Sequence, residues 1–175
     1  MWKLRNITGA GQRAVALDFG ADATRLLVLA PNRDGGFRRL ACCTLPTVDL
    51  THEMPGHVAE RLSDRVRELG LRGATCRVTL CSEAFRSDTA CLPAMTDDEL
   101  RASARFEALD RFGVDPSEFA LQHVAMAGQS TGGRQVLLLA AHQALVRRAT
   151  EAVMACGLVP VSVEHAVLAA LRGLE

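Results

Sequence analysis

The sequence predicts a mixed α/β fold built from two lobes, and three observations predict it. Short apolar runs of strand length alternate with stretches whose apolar residues recur at helical spacing. Glycine, proline and aspartate cluster between these runs, where the chain must turn. The length of 175 residues, 49% hydrophobic and 23% charged, suits one domain or two small lobes with a real core.

The elements follow in order. Residues 13–19, with Ala14-Val15-Ala16-Leu17 at their centre, read as a buried strand that ends in the polar turn Asp18-Phe19-Gly20-Ala21-Asp22. Residues 24–30 read as a second strand and Pro31 to Gly36 as a turn. Residues 37–45 read as a third strand, so the three predict an antiparallel meander. Met54, Val58, Leu62, Val66 and Leu69 form one apolar helical stripe, and Gly70 ends the helix. Residues 75–81 form a fourth strand, reached by a helical crossover and so parallel to a neighbour.

A second block begins with a strand over 85–92, which Pro93 breaks. Thr96 followed by Glu99 is the signature of a capping box, and the acidic run Asp97-Asp98-Glu99 suits the positive end of a helix dipole. That helix runs to about Phe112, with Gly113 as its stop. Residues 118–127 and 134–141 predict a hairpin around Gly132-Gly133. A helix over 143–156 carries Leu145, Ala149, Ala152, Val153 and Cys156 on one face. A last strand over 159–163 and a short helix over 165–171 complete the chain. The order is β-β-β-α-β, then β-α-β-β-α, then β-α. It divides the chain into a first lobe, 13–84 plus 157–175, and an inserted small lobe, 85–156, packed together without a linker.

Composition excludes several functions. Twenty basic residues balance twenty acidic ones, so nothing marks the chain as a nucleic-acid binder or as a ligand of a bare anionic membrane. No run approaches the roughly 20 apolar residues of a membrane-spanning helix, and Met1 to Asn6 does not open a secretory signal. Cys42, Cys43, Cys76, Cys81, Cys91 and Cys156 form no C-x-x-C pair and read as buried or half-buried reduced thiols. The five histidines are scattered, so no metal is expected. Ser82-Glu83 and Ser87-Asp88 lack a local histidine and do not indicate a hydrolase triad. Gly9-Ala10-Gly11 is not a dinucleotide fingerprint, and Arg147-Arg148 reads as a solvated helix face.

The run Ala14 to Gly20 followed by Thr24 to Leu29 resembles the first hairpin of actin-like ATPases. Leu92-Pro93-Ala94-Met95-Thr96-Asp97-Asp98-Glu99-Leu100 with Arg105-Phe106-Glu107-Ala108 narrows the likeness to the PilM-like family of type IV pilus assembly proteins, with FtsA and GspL as near relatives. Residues 136–141, Ala155 to Pro160 and Val163 to Ala166 fit the same family in order. The resemblance implies an actin-like, ribonuclease H-like first lobe and an inserted SHS2-type small lobe, in the first half of such a protein. It also implies a groove near the two lobes that holds a cytoplasmic segment of a PilN-like inner-membrane protein. On that mapping the partner-binding candidates are Ser82, Glu83, Phe85, Arg86, Leu100, Ala104 and Ala108.

The same resemblance makes Asp18, Gly20 and Arg25 a degenerate phosphate motif. The family pattern puts small hydroxyl residues after Asp-x-Gly, but here Ala21, Asp22 and Ala23 stand there. Asp22 would repel a phosphate charge at ~4 Å by about 1–4 kcal/mol, depending on the local dielectric. The residues of the turn suit a shape kept by Gly20 adopting positive φ and Asp18 bonding its own turn. The expected function is therefore a non-catalytic scaffold without cofactor, cytoplasmic and held at the inner membrane by its partner. ATP with magnesium, bound by an actin-like protein truncated here or completed by another chain, is the alternative. Self-association is a third expectation.

Overall fold

A computed structural model of the chain describes residues 13–130 and 133–172. Gly9-Ala10-Gly11, the first six residues and Gly132 of the hairpin loop lie outside the described residues. The strands are β1 (Ala14–Phe19), β2 (Ala23–Pro31), β3 (Phe37–Pro46), β4 (Thr75–Leu80), β5 (Phe85–Leu92), β6 (Phe119–Ser130), β7 (Gly133–His142) and β8 (Val159–His165). The helices are α1 (Pro55–Glu68), α2 (Asp97–Phe112), α3 (Gln143–Ala155) and α4 (Ala166–Arg172). A single 3₁₀ turn, Ser82–Ala84, joins the two blocks of the sequence.

Two compact units result. One runs to Ser82 and resumes at Arg147; the other is Glu83–Val146. The larger unit holds a five-stranded sheet in the order β3-β2-β1-β4-β8. β1, β2 and β3 form the expected antiparallel meander, and β4 lies parallel to β1 after the α1 crossover. β8 pairs parallel to β4. Alternation sorts the side chains: Val15, Leu17 and Phe19 of β1 and Cys76, Val78 and Leu80 of β4 are buried, while Ala16, Asp18, Arg77 and Thr79 point the other way. α1 adds Val58, Ala59, Leu62 and Val66 to the core, starts with proline at its first position and ends before Gly70 at φ 62°. Met54, expected on the apolar stripe, is instead the exposed residue that precedes the helix.

The smaller unit carries a three-stranded sheet in the order β5-β7-β6, all antiparallel, covered by α2. Ala90, Leu92, Val136 and Leu138 of the sheet meet Leu100, Ala104 and Ala108 of the helix. The capping box is present: the Thr96 hydroxyl accepts from the Glu99 N–H at 3.4 Å, and the Glu99 carboxylate accepts from the Thr96 N–H at 2.8 Å. Gly113 closes the helix at φ 56°.

The second lobe boundary read from the sequence needs correction. α3 starts in the smaller unit, but from Arg147 it belongs to the larger one. Arg148 shows why. It is half-buried and donates to the carbonyls of Leu50, at 3.2 Å, and Thr51, so it is no solvated bystander. The cysteines also differ from expectation. Cys76 and Cys156 are buried, but Cys42 and Cys91 are exposed. Burial pushes the Cys76 thiol up to about 12, with the nearby Cys156 adding to the shift, so Cys76 serves as a small hydrophobe.

Candidate functional site

Asp18, Gly20 and Arg25 come together, because pairing of β1 with β2 sets Asp18 opposite Arg25. Arg25 Nη1 approaches Asp18 Oδ2 at 3.4 Å, while its Nη2 donates to both oxygens of Asp22, at 2.9 and 3.1 Å. The other Asp18 oxygen accepts from the Thr79 hydroxyl at 2.7 Å. Arg25 holds the Asp22 carboxyl below its ordinary range, chiefly by the hydrogen bond, and Asp22 in turn raises Arg25. One guanidinium is therefore shared by two carboxylates, and the turn keeps an excess of negative charge. The hydroxyl of Thr24 is fully buried and finds no hydrogen-bond partner among the described residues.

Two details of the turn depart from expectation. Gly20 has no positive φ. It is needed for space, since a Cβ there would lie 2.8 Å from the Ala23 carbonyl oxygen and 2.9 Å from Arg25 Nη1. Its N–H donates to that same carbonyl at 3.1 Å, closing the turn. Asp18 bonds Thr79 and Arg25 across the sheet, not its own turn.

Asp22 also sets a pH dependence. A carboxyl whose folded value lies below its unfolded value, near 3.8, adds stability above that value and loses it as pH falls through the folded one. Asp22→Asn should lower the urea midpoint slightly at pH 7, with the gap from the parent closing below about pH 4. A gap of unchanged size across the acid range, from above about pH 4 down to the lowest pH at which the chain stays folded, would mean that the pair with Arg25 is not its source.

Sequence reasoning missed the rest of this polar face. Thr79 is the register partner of Asp18 on one side and Glu164 on the other. Arg77 Nη1 donates to Glu164 at 3.3 Å and reaches Ser162 at 3.5 Å. Arg25, Asp18, Thr79 and Glu164 thus form one row across four strands. No local motif links them; the alternation of β4 places Arg77 and Thr79 on the same face but does not name their neighbours.

The partner-binding candidates separate into two groups. Ser82 and Glu83 are exposed and Phe85 is half-buried. Arg86 is exposed, donates to the Phe112 carbonyl at 2.7 Å and lies 5.3 Å from the Phe119 ring centroid. Leu100, Ala104 and Ala108 are buried in the core of the smaller unit, and this corrects their reading as surface contacts. Their i, i+4, i+8 spacing is the inward stripe of α2. Ala104 and Ala108 do reach one surface feature, a cleft of about 170 Å³ between α2 and β6. Leu121 shares its floor, and Arg101, Arg105, Gln122 and His123 stand around it. Partial burial, and then the charge of Arg101, lowers the His123 pKa.

The acidic start of α2 is already committed. Asp98 pairs with Arg101 at 3.0 Å, Asp97 approaches Arg134 at 3.4 Å, and Glu99 makes the cap. Asp88 is bound by Arg111 at 3.0 Å, which holds its carboxyl low, so Ser87-Asp88 presents no idle base.

No protein-family model matches the chain, and no curated protein matches it. Solved structures do. A chain of a structure described as the PilM-PilN type IV pilus biogenesis complex superposes with a TM-score of 0.76 and 26% identity, covering 93% of this chain and 50% of that one. The cytoplasmic domain of EpsL, an inner membrane component of the type II secretion system of Vibrio cholerae, superposes with a TM-score of 0.62 and 12% identity, covering 90% and 59%. The chain thus spans about half the length of the PilM-PilN match. The five-stranded mixed sheet and three-stranded antiparallel sheet have the actin-like layout of PilM and EpsL, as the sequence predicts. Among the described residues no helix is long and apolar enough to cross a membrane.

Proposed function

We propose that the chain is a non-catalytic docking module of a pilus or secretion assembly apparatus, which holds a cytoplasmic segment of a PilN-like inner-membrane protein. The observation that carries this reading is the match over 93% of the chain to a structure of PilM in complex with PilN. The module works in the cytoplasm, peripheral to the inner membrane through its partner. The segment from β5 to α3 is an SHS2-type insert, in keeping with its β-α-β-β-α order, although most of α3 belongs to the larger unit. The exposed residues of the joining turn, Ser82 and Glu83, and the adjoining Phe85 and Arg86 are its first contact candidates.

The phosphate-like turn argues against catalysis by this polypeptide. Its one arginine already serves Asp22 and Asp18, and residues 21–23 offer no hydroxyl to a phosphate. An actin-like site for ATP and magnesium remains the second reading, favoured by one observation: Asp18, Thr79 and Arg25 are gathered at one sheet end. Calorimetry on the full chain separates the two. N-terminal cytoplasmic peptides of inner-membrane pilus and secretion proteins should bind at micromolar concentration, and Mg-ATP should give no saturable heat. Silence from every peptide defeats the docking reading. Micromolar Mg-ATP binding that disappears in Asp18→Ala establishes the second.

A further inference from the structure

Over Phe119–Ala125, β6 is an edge strand without the usual protections. It spans 12 residues and pairs only with β7 among the described residues. Edge strands are normally guarded by charge, proline or a bulge, because an unpaired row of N–H and C=O groups is a template for another strand. β6 contains no lysine, arginine, aspartate, glutamate or proline. The other edges do: β5 carries Arg86 and Asp88, β3 carries Arg38, Arg39 and Pro46, and β8 carries Pro160 and Glu164. The single irregularity of β6 lies between Ala125 and Gln129, which leaves Phe119 to Ala125 in unbroken register with His142 to Val136. A run of that length is a normal strand.

The cleft between β6 and α2 lies beside this regular run. Its floor is made of small or apolar side chains, Ala104, Ala108 and Leu121, which leave room for one inserted side chain. Its charged lining is entirely cationic, Arg101 and Arg105. Arg105 makes no ion pair among the described residues. Arg101 is held by Asp98, but both side chains are largely exposed, at 71% and 91%, so an incoming carboxylate competes on equal terms.

We propose that the outer edge of β6 accepts an extended, acidic segment of a partner protein as a fourth strand, with one apolar side chain entering the α2–β6 cleft and carboxylates meeting Arg105 and Arg101. In such strand addition the main chain supplies affinity, and alternate side chains supply selection. Here the small floor selects an apolar residue and the arginines select acidic neighbours. The site lies wholly within the smaller unit and does not depend on the docking of a PilN-like segment, so either can fail alone.

The test uses the full 175-residue chain, ¹⁵N-labelled. The probe is a capped peptide of about nine residues alternating valine with glutamate. It should shift amide signals of Phe119–Ala125 and Arg101–Ala108 in a saturable way. Arg105→Glu should weaken it by about tenfold, and lysine in place of glutamate in the peptide should do the same. N-methylation of alternate peptide amides, which removes the ladder donors while leaving the protein untouched, should abolish the shifts. The proposal is overturned if the shifts fall elsewhere, or if the methylated or lysine peptide binds as well as the parent. It is equally overturned if the chain dimerises through β6 and excludes the peptide.

Discussion

Phe19→Ala should destabilise the larger unit by about 3–5 kcal/mol, the range for deleting a buried phenylalanine side chain. Phe19 is 2% exposed and is the bulkiest of the fully buried residues. It closes β1, with Leu80 as its partner on β4 and Thr24 on β2. Its carbonyl accepts from the Cys81 N–H at 3.1 Å, so the strand pair is fixed beyond the side chain and cannot slide to fill the void. A cavity left between paired strands relaxes poorly, and that places the cost at the upper part of the range for core truncations. Domains of this size hold only about 5–15 kcal/mol in total, so a marginal protein could not survive the loss. Phe106→Ala is the matched control: at 73% exposed, the same deletion should cost no more than about 0.5 kcal/mol. Urea unfolding followed by circular dichroism reads both. Equal midpoints for the two variants would mean that Phe19 does not sit where its burial says. The loss should also reach function, because the turn carrying Asp22 and Arg25 begins one residue after Phe19.

Much of the fold was legible because it is written in short-range chemistry. Thr96 and Glu99 announce a capping box, and the box is there. Gly70 and Gly113 announce helix ends, and both have positive φ. Alternation in β1 and β4 tells which side chains face the core. Periodicity names a face, however, without saying what covers it. The spacing of Leu100, Ala104 and Ala108 is compatible with a docking surface, yet a one-sided apolar stripe first satisfies the protein's own sheet. The sequence places Arg148 on a solvated helix face, yet its long side chain crosses to loop carbonyls 97 and 98 positions away in sequence. The Arg77–Glu164 pair spans 87 positions, and the Thr79–Asp18 bond 61. Such contacts are products of strand order, which no local spacing encodes. The turn at Asp18–Arg25 was legible in composition and in its shortage of hydroxyls. Its electrostatics needed the structure, because only the paired register shows Arg25 divided between two carboxylates.

One substitution, glycine to alanine, should have opposite effects at two positions. Gly133→Ala should cost about 3 kcal/mol or more, at or above the usual ceiling for overpacking. A Cβ at Gly133 would lie 2.3 Å from the carbonyl oxygen of Leu92 and 3.0 Å from its carbonyl carbon. Neither atom is the end of a flexible side chain. Leu92 is held by pairing with Arg134 on β7 and by its own buried side chain in the core beneath α2. Relief therefore requires the end of β5 to peel from β7, which exposes Leu92 and weakens its packing against Leu100. Gly56→Ala should instead add about 0.4–1 kcal/mol. Gly56 is the second residue of α1, nothing lies within 4 Å of its missing Cβ, and its φ is compatible with any residue. There alanine only narrows the unfolded ensemble and improves helix propensity. Thermal and urea midpoints of the two variants against the parent chain measure the contrast. If Gly133→Ala proves as stable as the parent, β5 and β7 do not approach as closely at this end as their register requires. The α2-bearing sheet, with its unguarded edge at β6, would then have a looser frame than strand addition needs.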